Sequence, residues 1–336
     1  MLPPPQLGEV LRGRYKIVAY VGQGGMGSIY QAEDLRLEGR QCAIKEVQND
    51  ASLTPETQQQ ARDQFYREAS ILARLDHPNL PKVSDFFSIG ERDYLVMDFV
   101  PGRDLKDIMN EAKQNGSFLP ESDVLNWAGQ LADALTYLHL QEHAIVHRDI
   151  KPSNLKVTPN GLLKLVDFGL VKLLATDERT ITVIQGLGTA YYTPLEQYGG
   201  DTGHTDARTD IYAFGATLYH LLTNEPPSEA KERFLRADSL RSIRSINPAV
   251  SQNTEQAILW AMALHPDDRP PDVATFHAAL QSSNGLRVRA EGETFVVQPT
   301  IRLPSLTSRI DRYLAVAAAG LFVLALLLTL FPMRAP

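Results

Sequence analysis

His147-Arg148-Asp149-Ile150-Lys151-Pro152-Ser153-Asn154 puts a base, a cation and an amide at fixed offsets in one short stretch. Asp167-Phe168-Gly169 follows a little further along. Phosphoryl transfer from a metal–nucleotide needs this combination: a hydroxyl must be oriented in line, and the metal and the phosphate charge must be held still. Either tripeptide could arise by chance, but the extended stretch with the second acidic tripeptide behind it is hard to obtain that way.

Two further groups of residues bear on the same chemistry. Gly22-Gln23-Gly24-Gly25-Met26-Gly27 lies between two candidate strands, and glycines let backbone amides approach phosphates with no Cβ in the way. Alone, this spacing is equally that of a glycine-rich hairpin. A dinucleotide-binding fold would follow the glycines with a helix, whereas Ser28-Ile29-Tyr30 continues as a strand and argues against it. Lys45, in Cys42-Ala43-Ile44-Lys45, sits among apolar strand neighbours, and Glu68 lies on the helix that follows. Lys45 could be a solvated edge charge and Glu68 a solvent-facing helix residue; paired, they would grip α/β-phosphates. Glu46 points to the opposite face of the strand from Lys45 and is not the expected partner.

The elements that must position these residues change character along the chain. Strands are expected over 15–22, 28–33, 41–47 and 94–100, and an amphipathic helix over 62–75 carrying Phe65, Ala69 and Leu72. Residues 49–60 read as a polar loop. Pro101-Gly102 ends the sheet-rich part. Pro120 opens a helix to about Gln141, two short strands flank Asn160-Gly161, and further helices are expected over 210–222, 254–264 and 272–281.

The composition is that of an ordered globular chain: 336 residues, 43% apolar. A net charge of −7 argues against a nucleic-acid partner. The one cysteine, Cys42, can form neither an internal disulfide nor a multi-cysteine metal site, as suits a reducing compartment. Met1-Leu2-Pro3-Pro4-Pro5 has none of the features of a signal peptide. Residues 314–331 run without charge for about 18 residues, a helix of about 27 Å, close to a bilayer's hydrocarbon thickness. Arg309 and Arg312 before it and Arg334 after it favour a cytoplasmic N-terminal body. A buried core helix is the alternative reading of that run.

Taken in order, Gly22-x-Gly-Gly-Met-Gly27, Ala43-Ile-Lys45, Glu68, His147-Arg-Asp-x-Lys-Pro-x-Asn154, Asp167-Phe-Gly169, Gly188-Thr189 to Glu196, Asp210 and Arg269 resemble a bacterial eukaryotic-type (Hanks-type) Ser/Thr protein kinase. The Gly-Gly-Met-Gly form resembles the membrane-anchored, PknB-like branch. The resemblance implies an α+β, bilobal fold. A kinase domain would occupy 10–281, with a small β-rich N-lobe over about 10–100 and a helical C-lobe over about 101–281. A linker at 282–312 and a transmembrane helix at 314–331 would follow.

By the same resemblance, Asp149 accepts or orients the substrate hydroxyl proton, Lys151 neutralises the transferred phosphoryl, and Asn154 and Asp167 hold Mg²⁺, with Mn²⁺ as a substitute. Lys45 and Glu68 complete the catalytic set. ATP would lie against Gly22, Gly24, Gly25 and Gly27, under Ile29 and Ala43. Main-chain groups of Asp98 and Val100 would hold its base, with Met97 behind as gatekeeper. His147 is read as a packing residue. Arg148 implies control by a phosphorylated loop residue, Thr176, Thr180 or Thr182. Protein substrates, a homodimer through the N-lobes and lipid around the C-terminal helix are the implied partners, at the cell membrane with a cytoplasmic kinase domain. The alternative is a membrane-anchored pseudokinase scaffold that binds nucleotide and partners without efficient transfer.

Two departures from the family pattern stand out. Pro194-Leu195-Glu196 replaces the usual Ala-Pro-Glu, although Glu196 survives and Arg269 is present to pair with it. Lys156 stands where an apolar residue normally lies under the adenine. Either its methylene stem forms that floor, or the register shifts and turns Leu155 or Val157 inward.

Overall fold

Period-two patterns dominate the first hundred residues and period-3.6 patterns the rest, and together they build two lobes. The computed structural model describes residues 5–24, 27–48, 54–90, 92–167, 190–198 and 206–282, all within one compact unit, Met1–Val288. The upper lobe holds β1 (Val10–Leu11), β2 (Tyr15–Gly24), β3 (Gly27–Asp34), β4 (Gln41–Gln48), α1 (Pro55–Leu72), β5 (Val83–Ile89) and β6 (Arg92–Asp98). The strands form an antiparallel sheet in the order β1-β2-β3-β4-β6-β5.

Alternation gives this sheet two unlike faces. On one, Tyr15, Ile17, Tyr30, Cys42, Ile44 and Val96 are buried together as a small core. On the other, Leu95 and Met97 join Phe65, Ala69 and Leu72 of α1 in the main core, and Ala43 packs beside them. Lys45 lies on this second face and Glu46 on the first, as their adjacency in a strand requires. Cys42 is buried, and burial pushes its thiol up to about 11, so it is an inert core residue.

The lower lobe contains β7 (Arg103–Asp104), α2 (Leu105–Gln114), α3 (Glu121–His139), β8 (Leu155–Val157), β9 (Leu163–Leu165), α4 (Ala207–Thr223), α5 (Ala230–Leu235), α6 (Ile243–Ile246), α7 (Gln252–Ala261) and α8 (Val273–Gln281). Strands β7, β8 and β9 form a small antiparallel sheet. Helix α4 is buried on nearly every side, the mark of a helix inside a core rather than on its surface. Gly215 permits this. A Cβ there would stand 2.9 Å from Ala261 Cβ and 3.0 Å from Met262 Cγ, so only glycine lets α4 and α7 approach so closely. The helix stops at Asn224, whose left-handed φ of 56° closes its C-terminus.

The strands and helices expected up to residue 281 are found, with corrections at their ends. Helix α1 begins at Pro55, inside the stretch read as a loop. Thr54 Oγ1 accepts from Thr57 N and caps it, and Pro55 fits its first turn. Its first turns are polar because they face solvent, so they carry no apolar period. The helix ends at Leu72; Leu75 is buried from the following turn. The strand expected over 94–100 is β6 at Arg92–Asp98, leaving Phe99 and Val100 as the connection between the lobes. Asp206, Ser251 and Asp272 cap α4, α7 and α8 through their side chains, which sets starts that periodicity misplaced by up to a turn. Strands β1, β5 and β7 and helices α2, α5 and α6 were not foreseen.

Among the described residues no helix is long and apolar enough to cross a membrane. The segment 314–331, the linker beyond Ser282, Gly25, Phe168, Gly169, Gly188 and Thr189, and the threonines at 176, 180 and 182, lie outside the described residues.

Candidate active site

The segment from His147 to Asn154 is held from below by Asp210. Its carboxylate, fully buried on α4, accepts from the backbone amides of His147 and Arg148, at 2.8 Å each. His139 Nε2, at the end of α3, lies 2.8 Å from Asp210 Oδ2. Burial pushes the Asp210 carboxyl up, but His139, His147 and the Arg148 amide outweigh it and hold it below the usual range. The anchored turn is tight enough that Arg148 takes a left-handed φ of 65°. A β-branched residue would fit poorly there.

Above this anchor the reactive groups face one another. Lys151 Nζ donates to both Asp149 oxygens, at 2.8 Å. Asn154 Nδ2 donates to the Asp149 carbonyl at 2.8 Å and to Asp149 Oδ2 at 2.9 Å. Asn154 is buried and its carbonyl accepts from Val166 N, which ties this loop to the strand leading into Asp167. Asp167 has a left-handed φ of 59° and pairs with Lys45 Nζ. Burial raises the Asp167 carboxyl, and Lys45, Lys151 and His147 together bring it below the ordinary carboxylate range.

The amide nitrogen of Asn154 is engaged by Asp149, and its amide oxygen and the Asp167 carboxylate are oxygen atoms of the ligand type. Hard oxygen donors of this kind suit Mg²⁺, which also keeps waters and substrate phosphate oxygens in its shell. Among the described residues no cluster of three or more His, Cys, Asp and Glu could hold a metal on its own.

A cleft of about 550 Å³, its open mouth included, runs between the lobes. Ile29, Ala43, Lys45, Met97, Asp98, Val100 and Asp167, all singled out from the sequence, line it. Val21, Pro81, Phe99 and Val166 line it too and were not foreseen; they are apolar residues whose spacing gives no sign of meeting. Lys156 lines the cleft, whereas Leu155 belongs to the core and Val157 packs against it. The register-shift reading is therefore overturned: alternation along β8 sends Lys156 to the cleft and its neighbours to the core.

Of the expected phosphate-loop glycines, Gly22 pairs with Ile29 and Gly24 with Gly27 across the β2–β3 hairpin. Gly27 has a φ of 147°, and a Cβ on it would fall 1.8 Å from the Glu46 carbonyl oxygen. The loop thus rests directly on the backbone of β4, next to Lys45. Glu68 is buried on α1 and accepts from Gln64 Nε2 at 2.7 Å. Glu46, on the far face, accepts from Tyr30 Oη at 3.0 Å and pairs with Arg92 at 2.7 Å, a structural role.

The end of the segment after the cleft is pinned separately. Arg269 donates from Nη1 to Glu196 Oε1 at 2.6 Å and from Nη2 to Oε2 at 3.0 Å. The departure at Pro194-Leu195 leaves this pair intact.

Residues 15–283 match the family model described as the protein kinase domain. The probable serine/threonine-protein kinase PknB of Lactococcus lactis is 33% identical over a stretch covering 85% of this chain and 44% of that protein. The serine/threonine-protein kinase PrkC of Bacillus subtilis is 36% identical over 78% of this chain and 39% of that protein. The chain thus spans less than half the length of these curated relatives. Among solved structures, the apo form of PpkA-294 is 28% identical, with a TM-score of 0.66 over 84% of this chain and 99% of that one. The fold, the anchored loop and these likenesses agree: this chain belongs to the protein kinase family, and its relatives are bacterial serine/threonine kinases of the Hanks type.

Proposed function

We propose that this chain is an ATP-dependent Ser/Thr protein kinase, anchored in a membrane by residues 314–331 with its kinase domain in the cytoplasm. The observation that carries the catalytic part is the Asp149–Lys151–Asn154 cluster, joined through Val166 to Asp167 and so to Lys45. Asp149 orients a substrate serine or threonine hydroxyl and takes its proton as the oxygen attacks the γ-phosphorus of ATP. The bond from the γ-phosphorus to the β-γ bridging oxygen breaks, and ADP leaves with that oxygen. Lys151 stands beside Asp149 to neutralise the phosphoryl in transit, and Lys45 grips the α/β-phosphates with Glu68 behind it. Asn154 and Asp167 hold Mg²⁺, which supplies charge neutralisation at the phosphates. Main-chain groups of Asp98 and Val100 receive the base. The pseudokinase alternative is disfavoured because Lys45, Asp149, Asn154 and Asp167 are all present.

Regulation follows from Arg148. Its Nε is buried and, among the described residues, has no hydrogen-bond partner, and burial lowers the guanidinium below its ordinary range. An incoming phosphate on Thr180 or Thr182 would satisfy it and order the loop. Association through the N-lobes, favoured by confinement at a membrane, would let one copy phosphorylate another.

Transfer of labelled phosphate from Mg-ATP to a basic acceptor protein tests the reading with the full chain in detergent or vesicles. Wild type labels the acceptor and its own activation loop, and Asp149→Asn labels neither. Equal labelling of the loop in both proteins would remove self-phosphorylation; no labelling by wild type at any acceptor would remove the kinase reading.

A further inference from the structure

The cleft floor carries a full positive charge where an apolar surface would suit a purine ring, and the structure shows how it is managed. Lys156 is half-buried on β8, facing Asp104 of β7 and Lys164 of β9 across the small sheet. Neither neighbour takes its ammonium. Asp104 Oδ1 caps α2 by accepting from Asp107 N at 2.8 Å, and Lys164 Nζ donates to the Leu80 carbonyl at 3.1 Å. Among the described residues Lys156 makes no hydrogen bond and no ion pair; its ammonium lies over the Phe99 ring, 5.7 Å from the centroid. Phe99 is half-buried in the connection between the lobes and lines the same cleft.

We propose that Phe99 is a positioning residue for nucleotide binding that acts through Lys156. The ring holds the ammonium at the rim by a cation–π contact, and this keeps the methylene stem extended along the floor as an apolar surface for the base. Without the ring, the head is free to sample the cleft, where it meets the base as a hydrated charge and brings back the rotamer freedom that the latch removes. Lysine then serves as a floor only in combination with an aromatic residue at the lobe connection. This inference rests on the kinase reading of the cleft.

The test is a double-mutant cycle on the full chain, read by binding of a fluorescent ADP analogue and by the KM for ATP. Phe99→Leu keeps apolar bulk and removes the π face. In the wild-type background it weakens nucleotide binding roughly two- to fivefold, the size of one partly exposed cation–π contact, with kcat unchanged. In the Lys156→Leu background the same change leaves affinity unaltered. Equal effects of Phe99→Leu in both backgrounds overturn the latch while leaving the kinase reading in place. A wild-type chain that binds no nucleotide overturns both.

Discussion

Arg269–Glu196 and Lys45–Asp167 are both ion pairs, and they are built for opposite ends. Arg269 uses every donor it has. Besides the two bonds to Glu196, Nε reaches the Ala263 carbonyl, Nη1 that of Arg208 and Nη2 that of Leu264, at 2.8–3.0 Å. Its side chain is 0% exposed and it lies over the Tyr212 ring. Lys45 and Asp167 sit instead on the wall of an open cleft, with Asp167 27% exposed and in a strained backbone conformation. A pair fully satisfied by its own protein is part of the scaffold. A pair with ligand-type atoms turned to open space is set up to exchange partners when something binds.

The contrast yields predictions that begin with its most stable member. Arg269→Ala leaves the Glu196 carboxylate buried without its partner and should lower folding stability by about 3–5 kcal/mol, read by thermal or urea unfolding. A variant that unfolds like wild type would mean that the lower lobe does not depend on this pair. Lys45→Met should do the reverse. Phosphate transfer falls roughly a hundred- to a thousandfold, as for loss of one preorganised charge contact, while the melting temperature stays near that of wild type. Loss of folding in Lys45→Met would erase the distinction between the two pairs.

A subtler effect separates the lobes by pH. His220, on α4, has Nδ1 within 2.6 Å of the Tyr192 hydroxyl. Burial, with help from Lys113 and Lys106, pushes it down to about 4 from 6.5. Between those values the unfolded chain binds the proton more readily, so folded stability is lost as pH falls from about 6.5 to about 4, by up to about 3 kcal/mol from this group. His220→Gln should flatten the acid limb of the stability curve by that amount; an unchanged limb would assign the slope to other groups. The smallest effect belongs to the upper sheet. Tyr30→Phe removes the hydroxyl bound to Glu46 but leaves the Arg92 pair, and should cost about 1 kcal/mol in urea unfolding with no change in transfer rate.

Much of the site could be read before any coordinates, because kinase chemistry puts its groups at short, fixed offsets. Asp149, Lys151 and Asn154 are local neighbours, and Lys45 and Glu46 had to face opposite ways on one strand. What escaped the sequence was long-range or apolar. Phe99, Pro81, Val21 and Val166 reach the cleft from separate elements, and nothing in their types announces that they meet. The start of α1 was missed for a related reason: a solvent-facing polar turn has no hydrophobic period, and its signal lies in the Thr54 cap and Pro55 alone.

The chain by itself determined the lobes, through its change of period, and the identity of the reactive groups, through their spacing. Tertiary structure decided what those groups do to one another. Asp210 became the anchor of the loop because α4 runs through the middle of the lower core, where its carboxylate is satisfied by backbone amides and His139. Lys156 became the cleft floor because the pairing of β7, β8 and β9 fixes which face of a short strand looks outward. Register and burial are set by contacts between distant segments, and no local pattern encodes them.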